Sequence, residues 1–190
     1  MKKIIAFTLL AFVLIQCKNA SENENTNLRP SQDELKKSIK VMDDSLSVLY
    51  QNLMKDPQKQ IPSLAIYETI NRYLAFYKEY PTDKYSATCL DKVQQLYLQE
   101  KIYESSLAYT DTLLIKFPNY KDKANLLLNA GSTAELLEDK DLLKKYYSRL
   151  LKECKDLNSE TREMVEFRLK HIDKTFDELI EMQMKSISKK

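Results

Sequence analysis

The chain has 190 residues, with 30 lysines and arginines against 28 aspartates and glutamates, a formal charge of +2. That near-balance gives no basic excess of the kind a nucleic-acid-binding face needs, and a single histidine excludes most zinc constellations. A single glycine excludes Gly-rich phosphate loops and the Gly-x-Ser-x-Gly nucleophile elbow, and it is too few for a turn-rich β fold.

The N-terminus reads MKKIIAFTLLAFVLIQC. Lys2 and Lys3 precede an apolar run, Ile4 to Ile15, in which only Thr8 is polar. A spanning helix takes about 20 apolar residues, so the run predicts a signal peptide over 1–16. Leu14-Ile15-Gln16-Cys17 resembles the lipobox of bacterial lipoproteins, with Gln16 in place of the usual small residue. The resemblance implies cleavage before Cys17 and acylation of that cysteine. The alternative is an uncleaved anchor with an incidental cysteine. Several acyl chains would hold the protein on a membrane, because each buried CH2 contributes about 0.8 kcal/mol. Lys18 stands where an aspartate would resemble the inner-membrane retention signal. An outer-membrane location follows, facing the periplasm or the cell surface. Loss of Lys2 and Lys3 would bring the mature charge to about zero.

Residues 17–30 form the expected lipidated cysteine and flexible tether. Lys18 to Pro30 holds only Ala20 and Leu28 as apolar residues, too few to bury a core. Fully extended, it reaches at most about 45 Å. The helical domain is placed at 31–185. Ser31-Gln-Asp-Glu34 predicts a capping box, and Leu35, Ile39, Met42, Leu46, Leu49 and Leu53 follow at helical spacing up to Asp56-Pro57. A second helix runs from Pro62 to Tyr80, with Ile66, Ile70, Tyr73 and Phe76 on its apolar face. A third runs from about Asp83 to Gln99 through Leu90, Val93, Tyr97 and Leu98, and a fourth from Tyr103 to Lys116 with Tyr103, Leu107, Leu114 and Phe117 inward. The fifth, Asp122 to Glu138, contains Gly131. An interior helical glycine costs about 1 kcal/mol relative to alanine, and close approach of another helix is the reason expected. The sixth runs from Asp141 to Cys154. A last long helix is expected from Asn158 to about Lys185, with residues 186–190 as a frayed tail.

Tyr80-Pro81 and Phe117-Pro118 are 37 residues apart, and Cys154-Lys155 lies one further step along. A fixed period of this size marks stacked helical hairpins. The fold expected is therefore all-α, about seven helices in antiparallel hairpins forming a short solenoid. The pairs at 84–118 and 122–155 resemble tetratricopeptide repeats. Leu90, Val93 and Tyr97 match the large positions of a first helix, Ser106 the small position of a second, and Gly131 the glycine position. Thr110 and Ala134 stand where large aromatic residues are usual. A lipobox followed by such repeats resembles the envelope lipoproteins of outer-membrane assembly (BamD-like) and of the Tol-Pal system (YbgF-like). Both families are scaffolds.

Nothing else in the chain marks chemistry. His171 lies between Lys170 and Asp173, off the apolar stripe, and reads as surface rather than as a catalytic base. Asp173, Asp177 and Glu181 would form a solvated row on the last helix, and Asp43-Asp44 reads the same way. Cys89 and Cys154 each fall in a helix and read as buried thiols rather than as a bridge. No catalytic residue, metal ligand or cofactor is expected. The repeat resemblance implies a partner-binding groove at Thr88, Asp91, Gln95, Gln99, Asn125, Leu128, Ser132 and Glu135. The expected function is a non-enzymatic, lipid-anchored scaffold for a protein partner in the cell envelope. The alternative is a ligand-binding lipoprotein that feeds a nutrient importer through an aromatic site.

Overall fold

The structure, a computed structural model, describes residues 29–187. The signal-peptide stretch, Cys17 and the residues through Leu28 lie outside the described residues, as does the end of the expected tail, 188–190. Among the described residues there are eight helices and no strand: α1 Gln32–Lys55, α2 Ser63–Glu79, α3 Lys84–Gln99, α4 Tyr103–Lys116, α5 Lys123–Leu136, α6 Lys140–Glu153, α7 Ser159–Lys170 and α8 Phe176–Ile187. From α1 to α7 each helix packs on the next in the chain, joined by short turns into antiparallel hairpins.

Local chemistry sets the starts. Ser31 Oγ accepts the Glu34 N–H at 3.2 Å, and the Glu34 carboxylate accepts the Ser31 N–H at 2.8 Å, which completes the capping box. The carboxylates of Asp83 and Asp139 and the Asn158 carbonyl oxygen accept backbone N–H groups at the starts of α3, α6 and α7.

The 37-residue period is present in the backbone itself. Tyr80, Phe117 and Cys154 close α2, α4 and α6, and each donates its N–H to the carbonyl four residues back, at 2.9, 2.8 and 3.0 Å. The other ends repeat as well. Lys101 and Glu138, one period apart, have positive φ of 59° and 56°. Ile102 N–H bonds Tyr97 O at 2.9 Å and Lys101 N–H bonds Leu98 O at 3.0 Å. Asp139 N–H bonds Ala134 O and Glu138 N–H bonds Glu135 O, both at 3.0 Å. Both turns are Schellman motifs, which tie up the last carbonyls of α3 and α5.

The core has two parts. In one, Ile39 and Leu46 of α1 meet Ile66, Ile70, Tyr73 and Phe76 of α2 and Cys89, Val93 and Leu96 of α3. In the other, Ala87 and Leu90 of α3 meet α4, α5, α6 and Val165 of α7. Helix α3 serves both. Tyr109 of α4 packs against both parts and stacks on Tyr97, with ring centroids 5.5 Å apart and planes 5° apart. Thr110, the next residue in the chain after Tyr109, is buried. Gly131 lies under the ring of Tyr147 from α6, so a close helix approach is the reason for the glycine.

Four expectations need correction. The long last helix breaks at His171–Thr175. There Thr175 Oγ1 accepts the Glu178 N–H at 3.3 Å and Glu178 accepts the Thr175 N–H at 2.8 Å, a second capping box that starts α8. Asp173 therefore sits in a loop and pairs with Lys140 at 3.5 Å instead of joining a helical row. In α4 the buried positions are Ser106, Leu107, Thr110, Leu113 and Leu114; Phe117, half-buried, packs against this core as expected, whereas Tyr103 is half-buried outside it. Cys154 is only half-buried, although Cys89 is fully enclosed. The two thiols belong to different parts of the core, and both are free.

Candidate functional site

The eight groove positions lie on α3 and α5. Thr88, Gln95, Gln99, Asn125 and Ser132 are exposed, and Asp91, Leu128 and Glu135 are half-buried. The chain itself already engages the polar groups of several. Asp91 accepts the Tyr120 hydroxyl at 2.9 Å and the Gln94 amide at 3.0 Å. Glu135 accepts Arg168 Nε at 2.5 Å, and that guanidinium, 13% exposed, also donates to His171 O at 2.9 Å. Gln99 Oε1 accepts the Tyr50 hydroxyl. Ser132 Oγ lies 3.4 Å from the Tyr147 hydroxyl.

Only four of these positions line open clefts, and those four are spread over three of them: Gln95 and Gln99 in the first, Thr88 in the second and Glu135 in the third, while Asp91, Asn125, Leu128 and Ser132 line none of the three. The first, about 580 Å³, runs between α1 and α3 over a floor from α2. Asp43, Tyr50 and Met54 of α1 form one wall, Lys92, Gln95 and Gln99 of α3 form the other, and Thr69 and Tyr73 lie beneath. The Tyr73 hydroxyl donates to both carboxylate oxygens of Asp43, at 2.7 and 2.8 Å. Burial, then the Asp43 charge, pushes the Tyr73 hydroxyl well above its ordinary range. Asp43 is thus a buttress of the cleft and not only a solvated surface acid. Met54 is 84% exposed at the cleft's end.

The second cleft, about 550 Å³, holds Thr88 beside Lys84, Tyr85, Lys116, Phe117, Tyr120 and Lys121. Burial, followed by Asp91, raises the Tyr120 hydroxyl, so it stays protonated and donates. The third, about 380 Å³, holds Glu135 and Arg168 together with Glu138, Asp139, Lys140, Asp173 and Lys174.

No protein-family model, curated protein or solved structure matches the chain.

Among the described residues no three histidine, cysteine, aspartate or glutamate side chains cluster so as to hold a metal ion. His171 ends α7, half-buried, with its ring 4.7 Å from that of Phe167. No described helix is long and apolar enough to cross a membrane. Sequence reasoning missed the α1 wall of the first cleft, because the repeat pattern was legible only from the second helix onward. The signal was present in Asp43, Tyr50 and Met54, three positions on one side of α1 outside its apolar stripe.

Proposed function

We propose that this chain is a lipid-anchored, tetratricopeptide-like scaffold that holds an extended segment of a protein partner in the bacterial envelope. The observation that carries the reading is the first cleft. Two successive hairpins place the outer faces of α1 and α3 side by side, with amide, carboxylate and hydroxyl groups above an apolar floor. An extended peptide can bond such groups through its backbone and set alternate side chains against Met54 and Leu46. The recurrence of cap geometry at one fixed period supports the repeat assignment. The lipobox-like Leu14-Ile15-Gln16-Cys17 supports the anchor and the envelope location. In this reading the chain performs no catalysis, and its work is positioning.

The test is site-specific photo-crosslinking in cells. A crosslinking residue at Met54 or Gln95 should capture one protein partner, while one at Ile115, exposed on α4, should not. Equal capture at all three positions, or at none, would sink the groove assignment. Capture of an importer component would replace the scaffold with the ligand-delivery alternative.

A further inference from the structure

We infer that the edge of the domain formed by the α2–α3 and α4–α5 turns docks against an anionic lipid surface, through Lys84, Lys116 and Lys121 around the second cleft. The inference rests on the lipid-anchor reading of Cys17, and three observations carry it.

The first is where the chain enters. Pro30 O accepts the Tyr80 hydroxyl at 2.8 Å, Arg29 Nε pairs with Glu79 at 2.8 Å and Gln32 donates to Asp83 at 3.2 Å. The Arg29 guanidinium also lies 4.6 Å from the centre of the Tyr80 ring. These bonds fix the start of the described chain to the α2–α3 turn, at the edge where the cleft opens. Arg29 follows Cys17 by twelve residues, which span at most about 45 Å. An acylated Cys17 would therefore hold this edge within reach of the headgroups.

The second is charge. Lys84, Lys116 and Lys121 are exposed, and no carboxylate lines their cleft. Lys84 and Lys116 make no ion pair among the described residues, and Lys121 has only the distant Asp122 carboxylate at 3.9 Å. The α3–α4 and α5–α6 turns, at the opposite edge, carry Glu100 and Glu138-Asp139, and the third cleft there is lined by four carboxylates. The second cleft thus has lysines as its only charged lining, with Asp83 and Asp122 flanking it, whereas the third sets four carboxylates against Lys140, Arg168 and Lys174.

The third is the company of the lysines. Tyr85, Phe117 and Tyr120 lie among them. Tyrosine rings interleaved with lysines suit the headgroup layer, where the ring edge can meet the interface and an ammonium can meet a phosphate.

The experiment uses the full-length protein purified from its membranes and placed on vesicles of phosphatidylcholine, with or without phosphatidylglycerol. Acylation of lysines by an amine-reactive reagent is read peptide by peptide, and the mass of the Cys17 peptide is read in the same digest. Lys84, Lys116 and Lys121 should react about fivefold more slowly on the anionic vesicles, and high salt should remove the difference. Lys59 and Lys101, at the opposite edge, should react alike on both. Equal reactivity of the three lysines on the two vesicles overturns the docking, whether or not Cys17 carries lipid. Protection seen only in native membranes also overturns it and assigns the edge to a protein. Protected lysines beside an unmodified Cys17 would keep the docking and remove the anchor.

Discussion

The ring of Tyr147 occupies the space that a side chain at Gly131 would need. A Cβ built on Gly131 lies 2.0 Å from Tyr147 Cε1 and 2.3 Å from Cδ1. The ring cannot step aside cheaply, because it is buried and its hydroxyl lies against Ser132. Overpacking of this kind costs about 1–3 kcal/mol, while replacing an interior helical glycine by alanine returns about 1 kcal/mol. Gly131→Ala should therefore destabilise the protein by a net of about 1 kcal/mol in urea unfolding. In a Tyr147→Ala background the same substitution should cost less than about 0.5 kcal/mol. Equal costs in the two backgrounds would show that the ring is not the obstacle.

The two left-handed residues point the other way. Lys101 and Glu138 hold φ near 59° and 56° without being glycine, and the left-handed region costs an L-residue about 1–2 kcal/mol. Part of that relief is lost to the greater freedom of glycine in the unfolded chain. Lys101→Gly and Glu138→Gly should each stabilise by about 0.5–1 kcal/mol, and the gains should add because the two turns close different hairpins. Differential scanning calorimetry of both single variants and the double variant checks this. A loss of stability in either single variant contradicts it.

Acid should loosen the capping boxes of α1 and α8 and the Arg149–Glu153 pair at the end of α6 first. The Ser31 N–H at Glu34, Arg149 at Glu153 and the Thr175 N–H at Glu178 each hold a carboxylate below its ordinary value of 4.5. A lowered folded value means that the unfolded chain binds protons first as the pH falls. The stabilisation is complete above the ordinary value and is lost as the pH drops through the lowered ones. Urea midpoints should hold steady above about pH 5 and fall below about pH 4. Glu178→Gln keeps an acceptor and removes the titration, so amide exchange in α8 should lose part of its acid sensitivity. Unchanged acid sensitivity would show that the Thr175 cap does not govern this helix.

The thiols should differ sharply in reactivity. Burial, with Asp83 and Asp43 nearby, pushes the Cys89 thiol up to about 12, whereas Cys154 is half-exposed and raised less. Only the thiolate reacts, so iodoacetamide near pH 8 should label Cys154 at least about 100-fold faster than Cys89. Labelling of Cys89 should track unfolding. Comparable rates in the native protein would mean that α1 and α2 open readily over α3.

Features that depend on neighbours in the chain were legible, and features that depend on distant partners were not. The Ser31 box, the proline-marked turns and the meaning of Gly131 are each written within a single hairpin, and the period follows from comparing one hairpin with the next. Thr175-Phe-Asp-Glu178 is also a local signal, but the apolar stripe through Val165, Leu169 and Ile172 runs on in phase past the break and masks it. The engagement of the groove acids could not be read. Asp91 meets Tyr120 from 29 residues away and Glu135 meets Arg168 from 33, and the placing of the α4–α5 turn against α3 and of α7 beside α5 decides both. Charge reversal at either acid would disturb the fold as well as any partner, which is why the crosslinking test uses Met54 and Gln95 instead.

The divided core also bears on how the protein comes apart. Two separately packed halves, joined along α3 and at the Tyr97–Tyr109 stack, give the chain a seam. Helices α1 and α2 can peel from α3 while the hairpins of α4 to α7 stay closed, so unfolding need not be all-or-none. Tension transmitted from the N-terminus would enter through Arg29 and Pro30 and load the α1–α2 half first. A pull on the chain would thus take apart the wall of the first cleft before the body of the domain.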